Sequence, residues 1–130
     1  MADRTQDWFE QALRNMEQAL ASQSDGRHEW ACFAAHQATE LAVKALHLSY
    51  KQEAWGHVVA QLLQELPFHI EEDLVDRAKV LDNFYIPTRY PNGHVEGAPF
   101  HHYGKYQSTE AVKYAGEIIE FIRNRLAERG

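Results

Sequence analysis

Cysteine is all but missing. Cys32 is the sole thiol in 130 residues, so an intramolecular disulfide cannot form and zinc modules built on two or four cysteines are excluded. Flanked by Trp30-Ala31 and Phe33, it reads as a small buried hydrophobe in a reducing compartment. Long apolar runs are missing too: no window approaches the ~18 consecutive apolar residues of a membrane span. The opening residues, Met1 to Asp7, lack the apolar stretch of a secretory signal. Together these point to the cytoplasm and away from a membrane. Positive charge is also short. Thirteen Lys and Arg stand against nineteen Asp and Glu, a net −6, which excludes non-specific coating of DNA or anionic lipid. Any nucleic-acid contact must therefore be local.

What is present is the balance of one folded domain over residues 1–130, with 45% hydrophobic and 25% charged residues. A chain of this size can bury a real core without a metal or cofactor, and none is expected. Val, Ile and Thr are sparse while Ala, Leu, Glu and Gln abound, so local propensity favours helix. Trp8, Phe9, Ala12, Leu13, Met16, Ala19 and Leu20 recur at three- and four-residue steps and predict a helix from about Arg4 to Ser22, broken by Ser24-Asp25-Gly26. Trp30, Phe33, Ala34, Ala38, Leu41, Ala45 and Leu48 predict a second, central helix from about His28 to Lys51. After Trp55-Gly56 a short helix is expected from Val58 to Glu65, stopped by Pro67. A fourth runs from about Glu71 to Tyr85, its Glu71-Glu72-Asp73 start complementing the helix dipole.

From Pro87 to Gly104 the pattern lapses. That stretch holds three of four prolines, three of seven glycines and three of eight histidines, and reads as a long loop of the kind that carries function. Ser108 is the expected N-cap of the last helix, whose core stripe is Ala111, Ala115, Ile118, Ile119, Ile122 and Leu126. Arg123, Arg125 and Arg129 at its end suit the dipole as capping cations. The expected fold is all-α, an antiparallel up-and-down bundle of four long helices and one short one. Three tryptophans and twelve other aromatics exceed what so small a bundle hides easily, which predicts a homodimer.

Several polar residues escape the core pattern. Gln37 and Lys44 share the second helix's apolar stripe and Glu40 lies beside them, so they are expected either to form a simple Glu40–Lys44 pair or to contact the loop or a second subunit. The cluster His94, Glu96, His101 and His102 is a poor zinc site, because adjacent histidines do not readily aim both rings at one ion. Tyr85, Arg89, Tyr90 and Tyr103 are the residue types that stack on and clamp a nucleotide or RNA base, although aromatics at a bundle end also serve as loop anchors.

The run Phe33-Ala34-Ala35-His36-Gln37-Ala38-Thr39-Glu40-Leu41-Ala42-Val43-Lys44-Ala45-Leu46 resembles the pattern F-x-x-x-Q-A-x-E-x-x-x-K-A-L. Leu81-Asp82, Tyr85 and Thr88-Arg89-Tyr90-Pro91 resemble a second, ordered signature of the same family, the HEPN (higher eukaryote and prokaryote nucleotide-binding) domain. The likeness spans about Trp8 to Leu126 and includes Gly56-His57 before the short helix and His102-Tyr103 before the last. It implies a helical bundle that usually dimerises, many members being encoded with a minimal nucleotidyltransferase as toxin–antitoxin pairs. It further implies, for many members, a metal-independent endoribonuclease whose Arg-x4-6-His motif gathers residues of two subunits on one phosphate.

Arg89 to His94 matches that motif. The chemistry is coherent: a neutral His94 takes the proton of an attacking RNA 2′-hydroxyl while Arg89 holds the non-bridging oxygens, giving a cyclic 2′,3′-phosphate. Pro91 and Gly93 disfavour a continuous helical turn across the motif, and Glu96 occupies the place of the tyrosine that modified members carry. The alternative is a catalytically silent nucleotide- or protein-binding module, with Arg89 pairing an acid such as Asp82 to pin the loop and His94 solvated.

Overall fold

Five helices arise where the apolar spacing dictates them, and no strand occurs among the described residues, 3–129, of the computed structural model. They are α1 (Thr5–Ser24), α2 (His28–Ser49), α3 (Val59–Gln64), α4 (Glu72–Asp82) and α5 (Lys105–Arg129). Single 3₁₀ turns at Pro91–Gly93 and Pro99–His101 punctuate the long connection before α5. No helix is long and apolar enough to cross a membrane. The bundle is the predicted all-α one.

The first two helices form a tight hairpin. Gly26 has φ +75°, and the bonds Arg27 N to Ser22 O and Gly26 N to Gln23 O close the end of α1 as a Schellman turn, which makes α1 and α2 antiparallel neighbours. α2 sits at the centre: thirteen of its 22 residues are buried, so it packs on several sides at once. It ends two residues before the predicted Lys51, again in a Schellman turn, but here Lys51 itself takes the left-handed φ of 60°. The core joins Phe9, Ala12 and Ala19 of α1 to Val43 and Leu46 of α2, Leu62 and Leu63 of α3, Leu81 of α4 and Ile118 and Ile122 of α5.

Three expectations need correction. Leu20 and Trp30 share the core spacing but are half exposed, Trp30 at 47%. Ser108 is not the N-cap of α5. The helix starts three residues earlier, and Gln107 reaches back to accept the Gly104 N–H at 2.9 Å, one half of a capping box. Ser108 is instead fully buried and ties three helices: its hydroxyl donates to Lys105 O and accepts from Gln23 Nε2 and His28 Nδ1. Nor do Arg123 and Arg125 act as caps. Arg125 lies over Phe68 at 3.7 Å and Arg123 over Phe9 at 5.5 Å, and only Arg129, in the last turn, reaches across to Ser49 O and the Tyr50 ring.

α4 stops at Asp82 rather than Tyr85. Beyond it the chain turns sharply, held by Thr88 Oγ1 donating to Phe84 O at 2.6 Å and by Arg89 Nε donating to Tyr85 O at 3.0 Å. This turn positions the candidate site.

Candidate functional site

Asp82 organises the base of the site. Val58, which precedes α3, has no side-chain oxygen to cap that helix, and the Asp82 carboxylate does so from α4, accepting Val59 N at 2.7 Å and Ala60 N at 3.0 Å. The same carboxylate takes the Nε2–H of the fully buried His36 at 3.0 Å. Asp82 is thus committed, and Arg89 does not pair with it. His36 Nδ1 has no hydrogen-bond partner among the described residues.

Above this lies a stack of rings around one guanidinium. Arg89 sits over Phe33 at 4.4 Å, Tyr85 at 4.8 Å and Tyr90 at 5.0 Å. Rings on this many sides hold a cation by its delocalised face while leaving N–H donors at its edge. No carboxylate comes within ion-pair distance of Arg89 among the described residues. Tyr85 also stacks on the His57 imidazole at 4.9 Å and 19°. His57 in turn donates Nδ1–H to Glu40, 3.0 Å from both carboxylate oxygens.

Glu40 and Lys44 form the predicted pair, at 3.1 Å, but it is sheltered, with side chains 6% and 13% exposed. Glu40 also accepts from His57, and neither Glu40 nor Lys44 hydrogen-bonds the 87–104 segment. Gln37 lines an open groove of about 480 Å³ between α1 and α2, walled by Arg27, Trp30, Phe33 and Ala34. Phe33 therefore belongs both to the groove and to the Arg89 stack.

His94 stands in a second cluster. Gly93 packs so closely on Pro87 that an added Cβ would lie 2.9 Å from the Pro87 Cα. The His94 Nε2 meets Pro87 O at 2.7 Å, and since a carbonyl only accepts, this nitrogen is the donor and Nδ1 is the ring nitrogen not engaged by that bond. The imidazole stacks on His102 at 4.0 Å with parallel planes and meets the edge of Tyr103 at 5.8 Å. His94 is thus not the free, solvated loop residue of the alternative reading. The Tyr103 phenol is pushed up by burial and, secondarily, by Cys32. Among the described residues no hydrogen bond joins Arg89 to His94: Arg89 bonds Tyr85 O and His94 bonds Pro87 O. No three His, Cys, Asp or Glu side chains among those residues converge to hold a metal ion.

Sequence reasoning placed Tyr85, Arg89, Tyr90, His94 and Tyr103 in this region but missed Phe33, His36 and His57 as members. The local signals were the Gly56-His57 pair and the Phe33-to-Leu46 run that opens on Phe33 and contains His36.

Comparison with known proteins adds a frame to this geometry. The model of the HEPN domain family matches residues 5–125. The crystal structure of TT1696 from Thermus thermophilus superposes with a TM-score of 0.92 at 46% identity, covering 95% of this chain and 98% of that one. An archaeal HEPN homologue gives 0.83 at 34% identity, with the same coverage, and a HEPN domain protein from Thermotoga maritima 0.76 at 32%, over 93% of this chain and 98% of that one. No protein of curated function matches.

Proposed function

The chain belongs to the HEPN-domain family, and from that premise we propose that it is a cytoplasmic, RNA-acting member that cleaves single-stranded RNA without a metal, as a homodimer. The observation that carries this reading is the Arg89 guanidinium, held among three rings with no carboxylate within ion-pair distance among the described residues. Such a group accepts a phosphate with little reorganisation. In the reaction the RNA 2′-oxygen attacks the adjacent phosphorus and its proton passes to His94 Nδ1. The bond from phosphorus to the 5′-oxygen breaks, and that oxygen leaves protonated, with a cyclic 2′,3′-phosphate on the other fragment.

On this reading the site is composite, one subunit's Arg89 working with the other's His94. Exposed Trp30, Trp55, Tyr90 and Phe100 supply apolar surface for such an assembly. The physiological partner on this reading is a nucleotidyltransferase, the two proteins acting as toxin and antitoxin.

The test is end-labelled RNA incubated in EDTA with wild type, Arg89→Ala and His94→Ala, alongside light scattering. Cleavage by wild type alone, from a dimer, is expected. Intact RNA with wild type, or equal cutting by all three, overturns the ribonuclease. A second reading, a silent binding module for a nucleotide or protein, draws on the His94 bond to Pro87 O, which gives that ring a loop-holding role.

A further inference from the structure

The proposed cleavage requires a proton for the departing 5′-oxygen, and His94 accounts only for the proton removed from the 2′-hydroxyl. We propose that His57 delivers it, with Glu40 as its positioning residue; this rests on the ribonuclease reading above.

The geometry sets His57 apart from four histidines whose rings are committed elsewhere. His36 and His47 are buried, and His47 spends both ring nitrogens on Gln52 and Leu62 O. His28 is engaged by Ser108, and His102 by the Glu96 carbonyl. His57 is 53% exposed, yet its ring is fixed twice, by the stack on Tyr85 and by a carboxylate that is itself 6% exposed. A carboxylate accepts, so Nδ1 carries the hydrogen facing Glu40, and Nε2 is left without a protein partner among the described residues. A buried acid holding one imidazole nitrogen while the other faces solvent is the arrangement that gives an imidazole a defined tautomer and orientation for proton transfer.

His57 and the proposed phosphate anchor share the Tyr85 ring. The His57 ring is 4.9 Å from the Tyr85 centroid and the Arg89 guanidinium is 4.8 Å from the same centroid, so one aromatic ring spaces the two groups. On this proposal a phosphodiester seated on Arg89 at the edge of Tyr85 would present its leaving oxygen to His57. The charged and titratable groups facing His57 are Glu40 and, through it, Lys44 on α2, together with Tyr85 and Arg89 after α4. In the step, the Nε2–H bond of the imidazolium breaks as the phosphorus–oxygen bond breaks, and the proton ends on the 5′-hydroxyl.

The experiment compares wild type, His57→Ala, Glu40→Gln and Arg89→Ala on a short RNA and on the same RNA carrying sulfur at the bridging 5′ position, a leaving group that departs without protonation. His57→Ala is expected to lose about 10²- to 10⁴-fold in kcat on normal RNA, the range for a general acid, with KM little changed. On the 5′-thio substrate it should approach wild type. Glu40→Gln should show a smaller defect that the 5′-thio substrate also relieves, whereas a merely structural loss slows both substrates equally. Arg89→Ala should fail on both. If wild type and Arg89→Ala differ but His57→Ala cuts normal RNA at the wild-type rate, or stays impaired on the thio substrate, the role of His57 is overturned while the ribonuclease stands. If wild type cuts neither substrate, the ribonuclease reading itself is overturned, and the role of His57 with it.

Discussion

The carboxylate of Asp82 holds the fully buried His36 at 3.0 Å through one oxygen and, with both, closes the open N-terminus of α3. One side chain thus sets the α2, α3 and α4 geometry beneath the Arg89 stack. Replacing it with alanine removes a helix cap, worth about 1 kcal/mol, and strands a buried imidazole, costing about 1–3 kcal/mol. Asp82→Ala is expected to lower unfolding free energy in urea by about 2–4 kcal/mol, with Asp82→Asn between it and wild type. A loss under about 1 kcal/mol would mean that the neighbouring groups find other partners.

This link also marks where local pattern ceases to inform. The helices were legible because each buries a stripe at three- and four-residue spacing, and the α1 stop was legible in Gly26. Leu20 and Trp30 obey the same spacing and are nevertheless half exposed, because periodicity identifies an apolar face and not what covers it. The cap of α3, the Glu40–His57 bond and the Phe33 ring under Arg89 join residues far apart in the chain, so none leaves a trace in neighbouring residues. Arg89 and Asp82 looked like natural partners by sequence distance. Three other hydrogen bonds had already claimed the acid.

Ser108 carries a comparable load where α1, α2 and α5 meet, one buried hydroxyl serving Gln23, His28 and Lys105 O. Ser108→Ala leaves these polar groups short of a partner, a loss of about 1–3 kcal/mol. Thermal unfolding monitored by circular dichroism reads this directly, and an unchanged Tm would show that solvent replaces the hydroxyl.

Lys51 pays a conformational cost at the end of α2. Its φ of 60° is the left-handed conformation that glycine adopts freely at Gly26. Strain in that region is about 1–3 kcal/mol, and glycine returns part of the gain through its more flexible unfolded state. Lys51→Gly should stabilise the protein by about 0.5–1 kcal/mol, while Lys51→Val, β-branched, should destabilise it. Chemical denaturation midpoints of the pair decide the matter.

Burial pushes the Cys32 thiol up to about 12 from its ordinary value near 9, with the nearby charge of Glu29 adding to the effect. A group raised on folding contributes stability that is whole below its unfolded value and is lost as the pH climbs through the folded one. The window is therefore alkaline, from about 9 to 12. At about 1.4 kcal/mol per pH unit the thiol's share is on the order of 4 kcal/mol. The Tyr103 phenol, raised in the same direction, adds to the decline. Urea stability should hold to about pH 8.5 and then fall, less steeply in Cys32→Ala. At neutral pH the native thiol should resist alkylating reagents that label the unfolded chain.

Gly93 fixes the position of His94. An added Cβ would meet the Pro87 Cα at 2.9 Å, and that neighbour is backbone, which cannot swing aside as a flexible side chain would. Relieving the clash separates Gly93 from Pro87, and the His94 Nε2 bond to Pro87 O at 2.7 Å must stretch with it. The loop lies at the surface, away from the core, so Gly93→Ala should cost only about 1 kcal/mol of stability. The imidazole, by contrast, is expected to leave its stack on His102, and a displacement of about 1 Å at a reacting group costs about 100-fold in rate. Unfolding curves and RNA cleavage measured on the same preparation separate these effects. Near-normal stability with a large loss of cleavage places His94 at the reaction, whereas undiminished cleavage in a shifted loop removes it from the chemistry.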